Sequence, residues 1–307
     1  MITIFTIPRA FTGQFYFIQR NAIKSWVLLG NRVFLLGDAA GVAETAAEFK
    51  IQHLSNIKKS PFGTPLISDA FSQVQKLAKT SLLAYVNCDT ILLSNFMSSI
   101  KKVELSQFLL VGQRQPLKLD REIVGTRAWE NKLRQLLKAQ RSRPIMGSSD
   151  YFVFPKTTQF VLPPFAVGKL YWDKWFFYAC KKHRIPFIDA TLTVTAIHQQ
   201  HYPSLKSHAY GETKLGKETQ SNLKLLDGRI YAFTIYDADY LLAKSGLIKP
   251  RLTLTKLIRN GEIALILATQ KFGVLYPLLR FVQLARKLIT WWRLRSRDTL
   301  APGQKPR

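Results

Sequence analysis

Short apolar runs and amphipathic segments alternate along the first two hundred residues. Runs of mostly apolar residues, bounded by Gly, Pro, Asn or Asp, predict buried strands. Segments in which apolar residues recur every three or four positions predict helices between them. The strands are predicted at residues 1–7, 32–36, 82–86, 108–112, 150–155 and 186–197, and the helices at 15–28, 42–49, 69–79, 91–103 and 172–183. This alternation predicts an α/β protein with a Rossmann-type mixed sheet flanked by helices.

The pattern changes in two places along the chain. Residues 113–147 are basic, and with a helix expected at 128–141 they predict an insertion or cover within a first domain of residues 1–205. Residues 206–295 predict a C-terminal extension with one strand at 229–234 and basic amphipathic helices, and residues 296–307 predict a loose tail.

Composition and charge narrow the class of protein. Hydrophobic residues make up 47% and aromatic residues 12% of the 307 positions, which excludes a disordered chain. The formal net charge of +26 indicates an anionic partner, which can be a nucleic acid, an anionic membrane surface or a phosphorylated substrate. Residues 241–307 hold 14 of the lysines and arginines against only Glu262 and Asp298.

The basic C-terminal region combines this charge with an apolar stripe. Apolar residues recur at helical spacing at Leu275, Leu278, Leu279, Val282, Leu288, Ile289 and Trp292, with basic residues between them. Such a helix is typical of one that lies in a membrane interface, so we expect residues 271–295 to contact an anionic membrane surface. The alternative is a helix that packs on its own core with a solvated basic face.

Two observations bear on the compartment. Cys88 and Cys180 are too few for a disulfide framework, and neither lies in a zinc-like cluster. The amino terminus enters a predicted strand without a charged region and a cleavage site, so we expect no signal peptide. A cytoplasmic protein, peripheral at the inner face of the membrane, is the prediction.

One polar turn follows the most apolar strand. Asn87-Cys88-Asp89 comes directly after the strand at 82–86, and residues two apart at a strand end point to the same side. The side-chain oxygens of Asn87 and Asp89 can therefore surround one hard cation or one sugar, at the carboxyl end of a strand where α/β sheets bind ligands. The alternative is that Asp89 only caps the following helix.

Several blocks in a fixed order resemble one superfamily. They are Thr-Ile-Pro-Arg after the first strand, Gly-Asp after the second, the Asn-Cys-Asp turn, Asp-Tyr-Phe-Val-Phe-Pro, Pro-Pro-Phe-Ala-Val-Gly, Trp-Asp and Ile-His-Gln. Residues 1–205 with these blocks resemble glycosyltransferases of the GT-A fold, and in particular uncharacterised bacterial members. The resemblance implies a GT-A-like fold and transfer of a sugar from a nucleotide-sugar donor.

The resemblance implies a divalent cation and a nucleotide site. GT-A enzymes usually carry Asp-x-Asp where this chain has Asn87-Cys88-Asp89, so Asp89 and Asn87 are expected to bind Mn²⁺ or Mg²⁺ and the donor. His198 is the expected third metal ligand, with a structural histidine as the alternative. The other expected nucleotide-sugar contacts are Thr6, Pro8, Arg9 and Asp38. A surface arginine at residue 9 and a turn residue at 38 are the alternatives.

The same resemblance indicates where an acceptor would react. Asp173 is the expected general base, because an acid at the start of a helix follows an apolar, glycine-containing turn and two tryptophans would desolvate it. Asp150 is the second candidate for this role. Phe165, Gly168 and Trp172 are the expected acceptor contacts. The alternative for Asp173 is that it only stabilises the helix start.

These expectations combine into one functional hypothesis. The chain is predicted to be a metal-assisted glycosyltransferase that acts on a lipid-linked or polysaccharide acceptor. A nucleic-acid-binding protein is the alternative that the charge suggests, although no recognition-helix, ribonucleoprotein or zinc signature is present. A catalytically degenerate GT-A-like scaffold is a further alternative, because Asn87 stands where an acid is usual.

Overall fold

The computed structural model of the chain describes residues 1–158, 160–201, 216–226, 233–269 and 272–286. The chain divides into a unit of Met1–Lys249 and a second unit that begins at Pro250. The strands are β1 (Thr3–Thr6), β2 (Arg32–Leu36), β3 (Gln52–Leu54), β4 (Leu82–Val86), β5 (Thr90–Leu92), β6 (Leu109–Leu117), β7 (Ser149–Pro155), β8 (Phe187–Asp189), β9 (Ala196–Gln199), β10 (Tyr240–Ala243) and β11 (Gly246–Ile248). The helices of the first unit are α1 (Gln14–Leu28), α2 (Val42–Glu48), α3 (Ile67–Leu77), α4 (Asn95–Ile100), α5 (Trp129–Ala139), α6 (Trp172–His183) and α7 (Lys217–Leu225).

One mixed sheet organises the first unit, as the sequence predicts. Its main path runs β11-β10-β8-β6-β7-β4-β1-β2-β3, and β7 is antiparallel to both of its neighbours. From β1 the chain moves to β2 and β3 on one side, and then returns to place β4 parallel to β1 on the other side. The carboxyl ends of β1 and β4 therefore form a switch point of the topology, where open α/β sheets bind ligands.

The core forms because these strands are apolar on both faces. Every residue of β7 and all but the first residue of β4 are buried, as expected for strands that helices cover on both sides. Aromatic rings from the sheet meet rings from α3 and α6 on one face. Phe5 contacts Phe71 with ring centroids 4.8 Å apart, and Phe152 contacts Phe176 at 5.2 Å. This aromatic layer holds the start of α6 against the sheet.

The segment after the Asn-Cys-Asp turn is not the predicted helix at 91–103. Residues 90–92 form β5, which pairs antiparallel with β9 so that Thr90 faces His198, and a helix begins only at Asn95. A short apolar run cannot be assigned to strand or helix from its spacing alone. Here the pairing with β9 makes residues 90–92 a strand. The correction matters for function, because this pairing brings β9 to the turn.

Residues 113–147 contribute a second hydrophobic cluster. β6 continues through this segment to Leu117, and α5 occupies the place of the predicted helix at 128–141. Leu117, Val124 and Leu133 are buried against Ile91 and other apolar residues of β5 and β9. The segment thus covers one side of the sheet through a packed cluster.

The first unit extends past the predicted boundary at residue 205. β10 pairs parallel with β8, and β11 completes that edge of the sheet, so the unit ends at Lys249. The strand expected at 229–234 lies mostly outside the described residues, and Phe233 and Thr234 precede a short 3-10 helix. The expected tail at 296–307 also lies outside the described residues.

The second unit is helical where it is described. It contains α8 (Leu254–Thr269) and a helical stretch at residues 276–286. The buried carboxylate of Glu262 joins the two, with Oε2 2.8 Å from an Arg259 nitrogen and 2.7 Å from Arg286 Nε. None of the described helices has the length and apolar character needed to cross a membrane. The part of the predicted amphipathic helix beyond residue 286 lies outside the described residues.

The helical stretch at 276–286 carries apolar residues on its exposed side as well as its buried one. Leu279 is buried, whereas Leu278, Phe281 and Leu284 are 49%, 69% and 57% exposed. These three residues recur every three positions and so lie on one side of a helix. The described residues therefore show an exposed apolar row, which we call the 278–284 row.

Candidate active site

A cavity of about 680 Å³ opens at the carboxyl ends of β1 and β4. Most of the predicted site residues line it, and these are Pro8, Arg9, Asp38, Asn87, Asp89, Asp150, Gly168, Trp172 and Asp173. The topology brings them together, because the segments after β1 and β4 meet at the switch point and the turn before α6 faces them. Thr6 is fully buried and does not line the cavity.

Asp89 lies beside two histidines of the β9 region. His198 Nδ1 is 3.4 Å from Asp89 Oδ1, and His201 Nε2 is 3.5 Å from Asp89 Oδ2. Each of the three residues offers one ligand atom, and these three atoms lie within 4.8 Å of one another. The pairing of β5 with β9 produces this arrangement, and the backbone N–H of Gln199 donates to the Asp89 carbonyl at 3.0 Å. We call these three residues the cation cluster.

Charge interactions within the cluster shift the pKa of two of its members. Burial alone would raise the pKa of Asp89, but His198 and His201 hold it well below its usual value. Burial alone would lower the pKa of His198, but the carboxylates of Asp89 and Asp150 raise it to about 9. Without a cation, the imidazolium of His198 therefore supplies the positive charge between two carboxylates.

The cluster fits a divalent cation. It offers one hard carboxylate and two imidazoles, a set that suits first-row divalent metals such as Mn²⁺ better than Mg²⁺, which prefers oxygen ligands. Nδ1 of His201 is buried and has no hydrogen-bond partner among the described residues. The predicted ligand Asn87 instead directs its amide Nδ2 to Asp150 at 3.0 Å. His201, which the sequence analysis did not select, is the third member of the cluster.

Asp150 is not available as the second candidate base. Its carboxylate is 2% exposed and accepts hydrogen bonds from Asn87, Thr90, Arg114 and His198. A base must have an oxygen free to take a proton from the substrate. The expectation of a proton-accepting role for Asp150 is therefore corrected, because both of its oxygens already have partners.

Asp173 has the opposite environment at the start of α6. Burial raises its pKa, while the positive charge of Lys174 and backbone N–H groups of the first helical turn oppose that rise. Among the described residues, no side-chain hydrogen bond or ion pair is found on its carboxylate. Gly168, at φ +71°, lies in the turn before it, and Trp172 is buried against Tyr85 with ring centroids 5.3 Å apart. The predicted base thus faces the cavity with a pKa raised in the useful direction.

The turn before α6 does not use Phe165 as expected. This side chain is fully buried, lies outside the cavity lining and packs edge-to-face against Trp175. Its role is to anchor the turn in the aromatic layer, so the prediction of a direct acceptor contact is corrected. Gly168 and Trp172 remain in the cavity wall.

The wall of the cavity formed by the segments after β1 and β2 carries Arg9, which has no acidic partner among the described residues. The backbone of Arg9 is fixed by Gln19, whose Oε1 accepts from Arg9 N at 2.8 Å and whose Nε2 donates to Arg9 O at 3.0 Å. The exposed guanidinium lies over the ring of Phe15 at 5.1 Å. Asp38, by contrast, forms an ion pair with Lys59 at 2.7 Å, which lowers the pKa of Asp38. Among the described cations that line the cavity, Arg9 is the one with no carboxylate partner.

Sequence reasoning missed three residues of the site. Arg114, Lys59 and His201 come from β6, from the loop before α3 and from the segment after β9. The spacing of His201 three residues after His198 was a visible signal, since histidines so placed often share a site. Arg114 and Lys59 gave no local signal, because each is defined only by a carboxylate from another part of the fold.

Comparisons with known proteins give distant structural neighbours only. No protein-family model matches the chain, and no curated protein is significantly similar to it. The structural neighbours include glucosyl-3-phosphoglycerate synthase from Mycobacterium tuberculosis in complex with Mn²⁺, uridine diphosphate and phosphoglyceric acid, at 14% identity and a TM-score of 0.43 over 75% of this chain and 78% of that one. HddC from Yersinia pseudotuberculosis matches at 11% identity and a TM-score of 0.35, over 64% of this chain and 93% of that one.

A third neighbour covers less of the chain. TarS of S. aureus, residues 1–349 in complex with uridine diphosphate, matches at 11% identity and a TM-score of 0.28, over 38% of this chain and 36% of TarS. All three neighbours match at 14% identity or less and at a TM-score of 0.43 or less. At these scores they carry no argument about chemistry, which has to come from the cavity itself.

Proposed function

We propose that this protein is a glycosyltransferase that uses a divalent cation and a nucleotide-sugar donor. The observation that carries the proposal is that Asp89 and Asp173 both line one cavity of about 680 Å³ at the switch point of the sheet, with His198 and His201 beside Asp89. Transfer needs a group that binds the diphosphate and a base that receives the acceptor proton. The described residues supply both around one space.

Each residue has a defined task in the proposed reaction. The acceptor hydroxyl oxygen forms a bond to the anomeric carbon while the bond from that carbon to the diphosphate oxygen breaks, and Asp173 takes the hydroxyl proton. Asp89, His198 and His201 would hold Mn²⁺, which neutralises charge on the departing diphosphate when it is bound. Attack from the side opposite the leaving group inverts the anomeric carbon, so an inverting reaction is part of the proposal.

The donor would bind along the segments after β1 and β2. The unpaired guanidinium of Arg9 suits a phosphate, because its fork of N–H groups can contact two phosphate oxygens. Pro8 and Asp38 line the same part of the cavity, and Asn87 extends from the neighbouring turn. Asp38 would contact the ribose or base, with Lys59 holding its carboxylate in place.

The acceptor would approach over Gly168 and Trp172. A glycine with φ of +71° gives the chain a sharp turn with no side chain above it, which leaves room for a second substrate. Trp172 offers an apolar surface beside Asp173. A lipid-linked or polysaccharide acceptor fits this open wall. A cavity built around a cation cluster does not favour the nucleic-acid alternative.

The 278–284 row supports binding at the cytoplasmic face of a membrane. Exposed apolar side chains next to basic residues are what an interfacial helix presents to anionic lipids. Replacing Phe281 by Ser should lower partitioning onto anionic phosphatidylglycerol vesicles about tenfold, since burying a Phe contributes roughly 1.5–3 kcal/mol. Leu77→Ser, which changes an apolar residue of the first unit that is 52% exposed against 69% for Phe281, is the control. Equal binding by both variants, or binding to duplex DNA but not to vesicles, would contradict the membrane proposal.

A panel of nucleotide sugars tests the transferase proposal. One donor should stabilise the protein against heat only when Mn²⁺ is present, and ligand at 100 times its dissociation constant should add about 2.7 kcal/mol to the free energy of unfolding. The same donor should then lose its sugar to water or to an added acceptor. A panel in which no donor stabilises the protein with Mn²⁺ would overturn the proposal.

A further inference from the structure

Asp150 is the most heavily bonded acidic group of the cavity region. Asn87 Nδ2 donates to Oδ1 at 3.0 Å and Arg114 donates to the same atom at 2.9 Å. His198 Nδ1 lies 3.0 Å from Oδ2, and Thr90 Oγ1 donates to that atom at 3.3 Å. These partners come from the β4–β5 turn, β5, β6 and β9, so one carboxylate on β7 connects every strand that surrounds the cation cluster.

The burial of Asp150 indicates that its bonds have a specific role. A carboxylate that is 2% exposed is unfavourable unless a cation and several donors compensate it. Arg114 provides that charge, and its Nε is buried without a hydrogen-bond partner among the described residues. An apolar residue at this position would avoid these costs. What Asp150 adds is a fixed hydrogen-bond acceptor for His198.

We propose that Asp150 is a positioning residue of the cation site, which holds the imidazole of His198 beside Asp89. It also supplies, from β7, the second carboxylate that the Asn-Cys-Asp turn lacks at residue 87. The proposal rests on the proposed function, since it assumes that the cation cluster binds a metal. Because Nδ1 of His198 is the nitrogen that faces Asp150, the cation would be bound through Nε2 of the same ring. Carboxylates that accept a hydrogen bond from the other ring nitrogen of a metal-binding histidine commonly fix the orientation of its ring, and losing them weakens metal affinity about 10- to 100-fold.

The test measures Mn²⁺ affinity without any catalytic turnover. Free Mn²⁺ is followed by electron paramagnetic resonance during titration of the wild type and of Asp150→Asn, with folding checked by circular dichroism. The dissociation constant should rise about 10- to 100-fold in the variant. Asp189→Asn is the matched control, because Asp189 is also a largely buried carboxylate at a strand end, and its partner is Thr191 outside the cavity. This control should bind Mn²⁺ as the wild type does.

A double-mutant cycle separates positioning from general destabilisation. If Asp150 acts through His198, Asp150→Asn should have almost no further effect on Mn²⁺ affinity in a His198→Ala background. Should Asp150→Asn alone fail to fold, the pair Asp150→Asn with Arg114→Gln removes both buried charges together and serves in its place. Removing the positive charge of Arg114 should by itself strengthen the binding of a cation. Weaker Mn²⁺ binding by the double variant would therefore still support the proposal.

The outcomes distinguish this proposal from the function on which it rests. Wild type that does not bind Mn²⁺ overturns the cation site and this proposal with it. Wild type that binds, with an unchanged Asp150→Asn, overturns the positioning role alone. Additive losses in the cycle, or an equal loss in Asp189→Asn, overturn it as well.

Discussion

The two sides of the cavity hold their acidic groups in opposite ways. On the cation side, Asp89 and Asp150 are bonded to histidines, an arginine and other donors, and contacts with the two histidines lower the pKa of Asp89. On the acceptor side, Asp173 has backbone partners only among the described residues, and burial raises its pKa. A paired carboxylate keeps its charge and can hold a cation, whereas an unpaired and desolvated one can exchange a proton. This difference in pairing is the reason why we propose different chemistry for the two sides.

The largest effect is expected on the cation side. Asp89→Ala removes the only carboxylate of the cation cluster, and metal stabilisation of a leaving diphosphate is worth several kcal/mol. Sugar transfer should fall roughly a thousandfold or more, measured as product formed from the donor identified by the panel. Asp120→Ala, which changes an exposed acid outside the cavity lining, is the control. Wild-type turnover by Asp89→Ala would remove the distinction between the two sides.

The acceptor side should lose rate without losing binding. Asp173→Asn removes the proton acceptor, so kcat should fall about a hundredfold or more. Affinity for Mn²⁺ and for the donor should not change, because Asp173 belongs to neither site. In the wild type, kcat/KM should decrease as pH falls through the raised pKa of Asp173, since only the ionised form accepts a proton. If Asp173→Asn instead lost affinity for the donor and kept its kcat, the result would contradict the role of Asp173 as the base.

A smaller effect concerns stability rather than rate. The pKa of His198 is raised from 6.5 to about 9 in the folded protein, so its protonated form is the one that folding favours. This stabilisation is fully present below pH 6.5 and is lost as pH rises through about 9, and it amounts to about 3 kcal/mol. Urea unfolding in EDTA should show the wild type losing stability over this range relative to His198→Asn. Parallel curves for the two proteins would contradict the charge arrangement of the cation side.

The sequence predicted those parts of the fold in which local signals suffice. β2, β4 and α6 have the predicted bounds, because each is an apolar or amphipathic run with polar residues or breakers at its ends. β5 was predicted as helix, because three residues give no period and its partner β9 lies about a hundred positions further along the chain. Predictions from local pattern fail where a distant strand decides the conformation.

The candidate site shows the same limit. Asp89 was predicted from the polar turn after a recognisable strand, whereas His198 and Asp173 were predicted from the resemblance to GT-A enzymes. The partnership of Asp150 with Arg114 depends on the register between β6 and β7, which shifts between Val111 and Gln113. Gly112 lies at that irregularity, but a glycine in a strand indicates a bulge without showing which residues of the partner strand it brings together. Sequence reasoning therefore named many of the residues that line the cavity but not the partners that hold them, and it assigned Asp150 a role that its partners exclude.

The central claim is that Asp89, His198 and His201 bind the divalent cation that a sugar donor requires. Anomalous diffraction at the manganese edge, from crystals grown with Mn²⁺ and a nucleoside diphosphate, tests it most directly. The account predicts one strong peak within coordination distance of all three side chains, with the diphosphate between that peak and Arg9. A peak elsewhere in the cavity, or diphosphate bound with no peak at these residues, would contradict it.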